Sequence, residues 1–146
     1  MANVERNAQV VWQGDLEGGS GTLTEEDSGV LRDAPVTFAN RVGDPEGHTS
    51  PEELIASAHA TCYAMALSNT LAEQDTPPER ITVHAVCTLD DEQLKITTID
   101  LDVRGQVPEL DDEGFQNAAQ EAGQICPVTN ALRGNVEVRV NASLES

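Results

Sequence analysis

Three cysteines, three histidines and seven arginines are the residues of this chain best suited to nucleophilic or ligand chemistry. Cys62 falls within Ala58-His59-Ala60-Thr61-Cys62-Tyr63, in the middle of a helical pattern. A thiol there packs as a small hydrophobe or serves as a nucleophile. His59 is three residues earlier and shares that helix face, which permits a Cys–His pair or two metal ligands. No further ligand stands at a sensible spacing, so no metal is expected, and His59 reads as a hydrogen-bonded histidine within helix packing. Cys126 immediately precedes Pro127 at a helix start. Backbone N–H groups and the positive end of the helix dipole favour a thiolate at such a place. Cys87 lies on the apolar face of an alternating segment and reads as core. An odd cysteine count, with wide spacing and no Cys-x-x-Cys, argues against a disulfide framework. Arg41 reads on its own as a solvated side chain. Glu52 and Glu53 sit in a first helical turn, where carboxylates suit the dipole.

The elements that must hold these residues follow from periodicity. Ala8, Val10 and Trp12 alternate with other residues, and Gly14-Asp15 then marks a turn. Gly18-Gly19-Ser20-Gly21 marks another turn, and Thr22–Thr24, Gly29–Leu31 and Val36–Phe38 read as short strands. Ser50, Pro51 and Glu53 form a capping box with proline at the first helical position. A helix apolar nearly all round is expected from there to about Glu73, and such a helix is expected to be buried. Thr76-Pro77-Pro78 ends it. Ile81, Val83, Ala85, Cys87 and Leu89 share one strand face, Asp90-Asp91 turns the chain, and Ile99, Leu101 and Val103 continue on the return strand. A second helix is expected over Asp111–Ile125, with Phe115, Ala118, Ala119 and Ala122 on one face. A short third helix opens at Pro127 and ends near Gly134, and Val136, Val138, Val140 and Ala142 form a last strand. The class is α+β, and the hairpin-like spacing points to antiparallel sheets.

Composition bounds the partners. The 146 residues suit one domain over 1–146, long enough for a core without staples. Acidic residues number 26 against 8 basic ones, for a net charge of -18, and Lys95 is the only lysine. Such a chain repels phosphate, so nucleic acid and anionic membrane surfaces are excluded as partners. No run approaches the about 20 apolar residues that span a bilayer. The first residues lack the pattern of a signal peptide, so a cytoplasmic location is expected.

Two segments carry a more specific signal. Thr49 to Ser68, TSPEELIASAHATCYAMALS, resembles the cysteine helix of the osmotically inducible protein C family (the OsmC/Ohr peroxidases). Cys126-Pro127-Val128-Thr129-Asn130-Ala131-Leu132 resembles the second cysteine motif of that family. Trp12–Asp15, Ser28–Leu31 and Phe38–Arg41 also fit, so the resemblance runs from about Ala8 to Val140. The helix sequence and His59 are more similar to the osmotically inducible branch than to the organic hydroperoxide resistance branch.

The resemblance implies a thiol-dependent peroxidase acting on organic hydroperoxides. By position, Cys62 is the peroxidatic cysteine and Cys126 the resolving one. Arg41 matches the active-site arginine, with Arg32 as the fallback, and Glu52 matches the glutamate that holds it. The family uses no further cofactor here; a lipoyl-type dithiol, carried by a lipoylated protein, is the implied reductant. The implied fold packs antiparallel sheets on a long central helix in an intertwined homodimer. Geometry adds a reason for the dimer. Glu52 and Cys62 are ten residues apart on one expected helix, about 15 Å along its axis, so Glu52 is expected to serve the thiol of a second copy.

Two other readings use the same residues. A non-catalytic module of this fold could bind a small organic ligand, but it has no need of Cys62, Cys126, Arg41 and Glu52 together. A disulfide reductase or redox sensor would favour Cys-x-x-Cys spacing, which is absent.

Overall fold

The structure, a computed structural model, describes residues 3–145 and lays the chain out as two compact units that divide after Pro51. The first unit holds β1 (Ala8–Gln13), β2 (Ser20–Glu26), β3 (Ala34–Val36) and the short helix α1 (Phe38–Val42). Its three strands form an antiparallel sheet in the order β1-β2-β3. Gly14 turns the first hairpin at φ +94°, a left-handed conformation that glycine adopts without strain. Gly21 pairs with Trp12, and a Cβ on it would lie 2.6 Å from the indole ring.

Two expected strands in this unit are corrected. Gly29–Leu31 is a turn, because Glu26 captures it. The Glu26 carboxylate accepts from the Ser28 hydroxyl at 2.7 Å and from the Leu31 N–H at 3.0 Å, and Gly29 takes φ +73°. Phe38 is not a strand residue. Thr37 caps α1 by accepting from the Asn40 N–H, so the strand stops at Val36.

The second unit holds the rest of α2 (Pro51–Glu73), then β4 (Arg80–Asp90), β5 (Lys95–Gln106), α3 (Asp112–Ile125), α4 (Pro127–Leu132) and β6 (Glu137–Leu144). α2 starts at the proline and ends before the Thr76-Pro77-Pro78 stop, as its sequence requires. Asp111 caps α3 by accepting from the Gly114 N–H. β4 and β5 form the expected antiparallel hairpin, with Val83 opposite Val103. β6 corrects the expectation of antiparallel sheets, since it runs parallel to β5 from Thr98↔Glu137 to Gly105↔Leu144. The reason is the long connection through α3 and α4, which carries the chain back to the start of β5, and a parallel pair requires such a crossover.

The core of this unit lies between one face of the sheet and the helices. Ile99, Leu101 and Val103 from β5 meet Tyr63, Leu67 and Leu71 from α2 and Phe115, Ala118 and Ala122 from α3. Gly105 is required there, because a Cβ would lie 2.6 Å from the buried Phe115 ring. The opposite face of the sheet is polar, and Arg139 grips Asp100 with two hydrogen bonds of 2.7 and 2.9 Å.

α2 corrects the expectation of a helix buried all round. It buries one stripe, formed by His59, Tyr63, Ala66, Leu67, Thr70 and Leu71, while Ala58, Thr61, Met65, Asn69 and Ala72 face outward. Met65 is 69% exposed. Among the described residues, no helix is long and apolar enough to cross a membrane.

Candidate active site

α2 and the α3–α4 junction bring two cysteines together. Cys62 flanks the buried stripe of α2, one residue before Tyr63, and is itself half-buried. Cys126 is fixed from both sides. Its N–H closes α3 on the Ala122 carbonyl at 3.0 Å, and its own carbonyl accepts from the Asn130 N–H at 2.9 Å in α4. Pro127 has no N–H to extend α3 but suits the first position of α4. The Cys126 side chain is fully buried, and its sulfur lies 3.3 Å from that of Cys62. A disulfide bond is about 2.05 Å long, so the reduced pair is about 1.3 Å from bonding distance. Residues 64 apart in sequence are thus poised for one another.

The two thiols differ in acidity. Burial pushes the Cys62 thiol above its ordinary value, against a hydrogen bond from the Val128 N–H, and the Cys126 side chain adds to the rise. Burial also acts to raise Cys126. It is outweighed there by the Thr129 hydroxyl and N–H, by the Cys62 thiol and by the Val128 N–H, which together hold Cys126 below its ordinary value. Cys126 makes no side-chain cap in the strict sense, yet these donors bear on its sulfur as a helix start does on any anion. Donors thus gather at Cys126, while burial dominates at Cys62.

His59 is a packing histidine, as expected, but its partner was not foreseen. Its Nε2 lies 2.7 Å from the Thr129 hydroxyl in α4, and both residues are buried. One residue type alone carries no signal of a pairing across 70 positions. Tyr63 makes a second tie, its hydroxyl donating to the Ala119 carbonyl at 2.7 Å. Burial holds the His59 imidazolium below its ordinary value, near 6.5 in an unfolded chain. Between the folded and unfolded values the unfolded state binds more protons. The stability from neutral His59 is therefore complete above about pH 6.5 and is lost as pH falls through the folded value. The urea midpoint is expected to hold from about pH 8 to 7 and to decline below about 6.5. The decline between about pH 6.5 and 5 should shrink in His59→Gln, and an unchanged decline in that variant would remove His59 as its cause.

The remaining candidates lie at other points along the chain. Arg41 is half-buried in the last turn of α1, and Arg32 is exposed in the loop before β3. Glu52 is in the first turn of α2, and its charge bears on Cys87 of β4, whose thiol is raised first by burial and then by that charge. α2 is continuous from Glu52 to Cys62, so the axial separation of about 15 Å stands. A groove of about 550 Å³ runs along α3, α4 and β6, lined by Gln120, Gln124, Thr129, Arg133 and Val138, but by neither Cys62 nor Cys126. Among the described residues, no cluster of three or more His, Cys, Asp or Glu side chains is placed to hold a metal ion.

This arrangement has known relatives. Residues 43–141 match the family model described as OsmC-like protein. The chain is 38% identical over 135 residues to the peroxiredoxin OsmC of Escherichia coli (strain K12), covering 91% of this chain and 93% of that protein. It is 30% identical over 123 residues to the organic hydroperoxide resistance protein OhrB of Bacillus subtilis (strain 168), covering 84% and 89%. The crystal structure of the Bacillus subtilis OhrB superposes with a TM-score of 0.67 at 30% identity, over 94% of this chain and 98% of that one.

Proposed function

This chain belongs to the OsmC-like protein family, and from that premise we propose that it detoxifies peroxides as a cysteine peroxidase that reduces organic hydroperoxides to alcohols. The observation that carries the reading is the 3.3 Å separation of the Cys62 and Cys126 sulfurs. The names of the relatives, peroxiredoxin OsmC and organic hydroperoxide resistance protein, support the substrate class.

In this reading Cys62 attacks as a thiolate. Its sulfur bonds to the outer peroxide oxygen, the O–O bond breaks, and the alkoxide leaves as alcohol after taking a proton. Cys62 becomes a sulfenic acid. Cys126 then attacks the oxidised sulfur, the S–S bond forms, the S–O bond breaks, and hydroxide leaves as water after taking a proton. This blocks further oxidation to sulfinic acid. A dithiol, from a lipoylated protein, reduces the disulfide by exchange and is itself oxidised.

In this reading Arg41 supplies a cation to the Cys62 thiolate. A guanidinium is always charged, so it offsets the desolvation of the thiolate and polarises the peroxide. Glu52 holds that guanidinium as a carboxylate partner. The active unit is a homodimer with composite sites, because Glu52 and Cys62 are separated by about 15 Å on one helix. The outward stripe of α2, with Met65 at 69% exposure, supports a covered face.

A turnover assay with a small dithiol and tert-butyl hydroperoxide tests this. One alcohol is expected per peroxide consumed, with hydrogen peroxide turned over at least about ten-fold more slowly than the organic substrate, a gap of about 1.4 kcal/mol in activation free energy. Equal rates on the two peroxides would contradict the organic specificity, and no alcohol at all would contradict the peroxidase reading.

A further inference from the structure

The contact between His59 and Thr129 constrains where protons lie. His59 is 0% exposed, and its Nδ1 has no hydrogen-bond partner among the described residues. A proton on Nδ1 would leave a buried N–H orphaned, which native structures rarely tolerate, whereas a bare lone pair there is the milder loss. The Nε2–H tautomer follows, and it makes the ring a donor to Thr129 Oγ1 at 2.7 Å. A threonine hydroxyl has one proton and two lone pairs. With one lone pair occupied by His59, the proton is free to point elsewhere. Thr129 is the third residue of the helix that Cys126 opens, one turn beyond it, and both residues are buried, so its hydroxyl lies on the Cys126 side of α4; the lowering of the Cys126 thiol accords with a donor there.

We propose that His59 is a positioning residue for Cys126: its Nε2–H, donated to Thr129 Oγ1, commits the Thr129 hydroxyl proton to the Cys126 sulfur. The opposite tautomer would draw that proton to the ring and leave the sulfur without it. The relay runs from α2 to α4, so it also registers the helix of Cys62 against the helix start of Cys126. Its functional meaning rests on the resolving role given above. It readies Cys126 as a thiolate while Cys62 is being oxidised, so the S–S bond forms before a second peroxide arrives. Among the described residues, the other titratable groups that bear on Cys126 are Cys62 and Tyr63, both from α2. The Tyr63 phenol is held well above its ordinary value by burial and stays a donor to Ala119.

The experiment needs no peroxide. In a chain carrying Cys62→Ser and Cys87→Ser, Cys126 is the only thiol, and its ultraviolet thiolate absorbance reads its ionisation against pH. Thr129→Val should move the midpoint up by about one pH unit, a ten-fold smaller thiolate fraction near neutrality. His59→Leu should move it the same way by about half a unit, while Thr129→Ser and His59→Gln stay near the parent because each keeps the donor. If His59→Leu does not fold, His59→Asn replaces it, since its shorter amide mimics Nδ1 and does not reach Thr129. Midpoints of Thr129→Val and of the His59 variant that match the parent overturn the proposal. A chain inert to peroxide that still shows these shifts contradicts the peroxidase reading alone. An active peroxidase without them contradicts the relay alone.

Discussion

Cys62→Ser is expected to cost on the order of 10³-fold or more in peroxidase kcat/KM, because a serine hydroxyl does not ionise to an attacking anion near neutral pH. Cys126→Ser should behave differently. It leaves the first step intact, so one equivalent of peroxide is consumed rapidly and one of alcohol released. Turnover then stalls, and the Cys62 sulfenic acid climbs to the sulfinic state under excess peroxide. Mass spectrometry of the intact protein separates the two variants. Cys62→Ser should gain no oxygen, and Cys126→Ser should gain first one and then two on Cys62. The reverse pattern, with oxygen accumulating on Cys126 in Cys62→Ser, would exchange the roles. That outcome is a sharp test because hydrogen-bond donors favour a thiolate at Cys126 while burial disfavours one at Cys62.

The second large effect is expected at Arg41. Burial raises the Cys62 thiol, and a nearby guanidinium is worth about 1–3 pH units to an anion. Arg41→Met should therefore lower kcat/KM at neutral pH by about 10- to 1,000-fold, with most of the loss recovered at higher pH as Cys62 ionises unaided. Arg41→Lys should recover part of the rate but not the bidentate contact proposed for Glu52. Arg32→Met serves as the control. A loss confined to Arg32→Met would move the cation to that residue. A loss in Arg41→Met that persists at high pH would point to substrate binding instead of thiolate stabilisation.

The parts of this fold that the sequence makes legible are those governed by local rules. Ser50-Pro51-x-Glu53 starts α2, alternation sets β4 and β5, and Cys126-Pro127 opens α4. Where a side chain reaches across a turn, local rules fail. Glu26 captures Ser28 and Leu31, so residues that read as a short strand become a turn. Thr37 diverts Phe38 into a helix by the same kind of capture. Hairpin spacing does not set the direction of β6, which follows two helices and runs parallel to β5. A connection of that length is a crossover, and the sign was available in the chain. The α2 stripe could not be read, since a helix rich in alanine presents nearly equal faces, and packing decides which face is buried.

The site divides in the same way. Cys62 and Cys126 are marked by their segments, and the structure brings their sulfurs together. His59 was legible as a packed histidine, but Thr129 as its partner was not, because side chains 70 residues apart meet only through tertiary packing. The order of acidity was half legible. The helix start predicts an acidic Cys126, while the raised Cys62 depends on burial, which spacing does not reveal.

The central claim is that Cys62 and Cys126 form a peroxide-driven redox couple. Fully reduced protein mixed with one equivalent of tert-butyl hydroperoxide, then denatured and titrated for free thiols, tests it directly. The titration should fall from three thiols to one, with Cys87 as the survivor and a Cys62–Cys126 disulfide found by peptide mapping. Three thiols remaining, or a disulfide that includes Cys87, would contradict it.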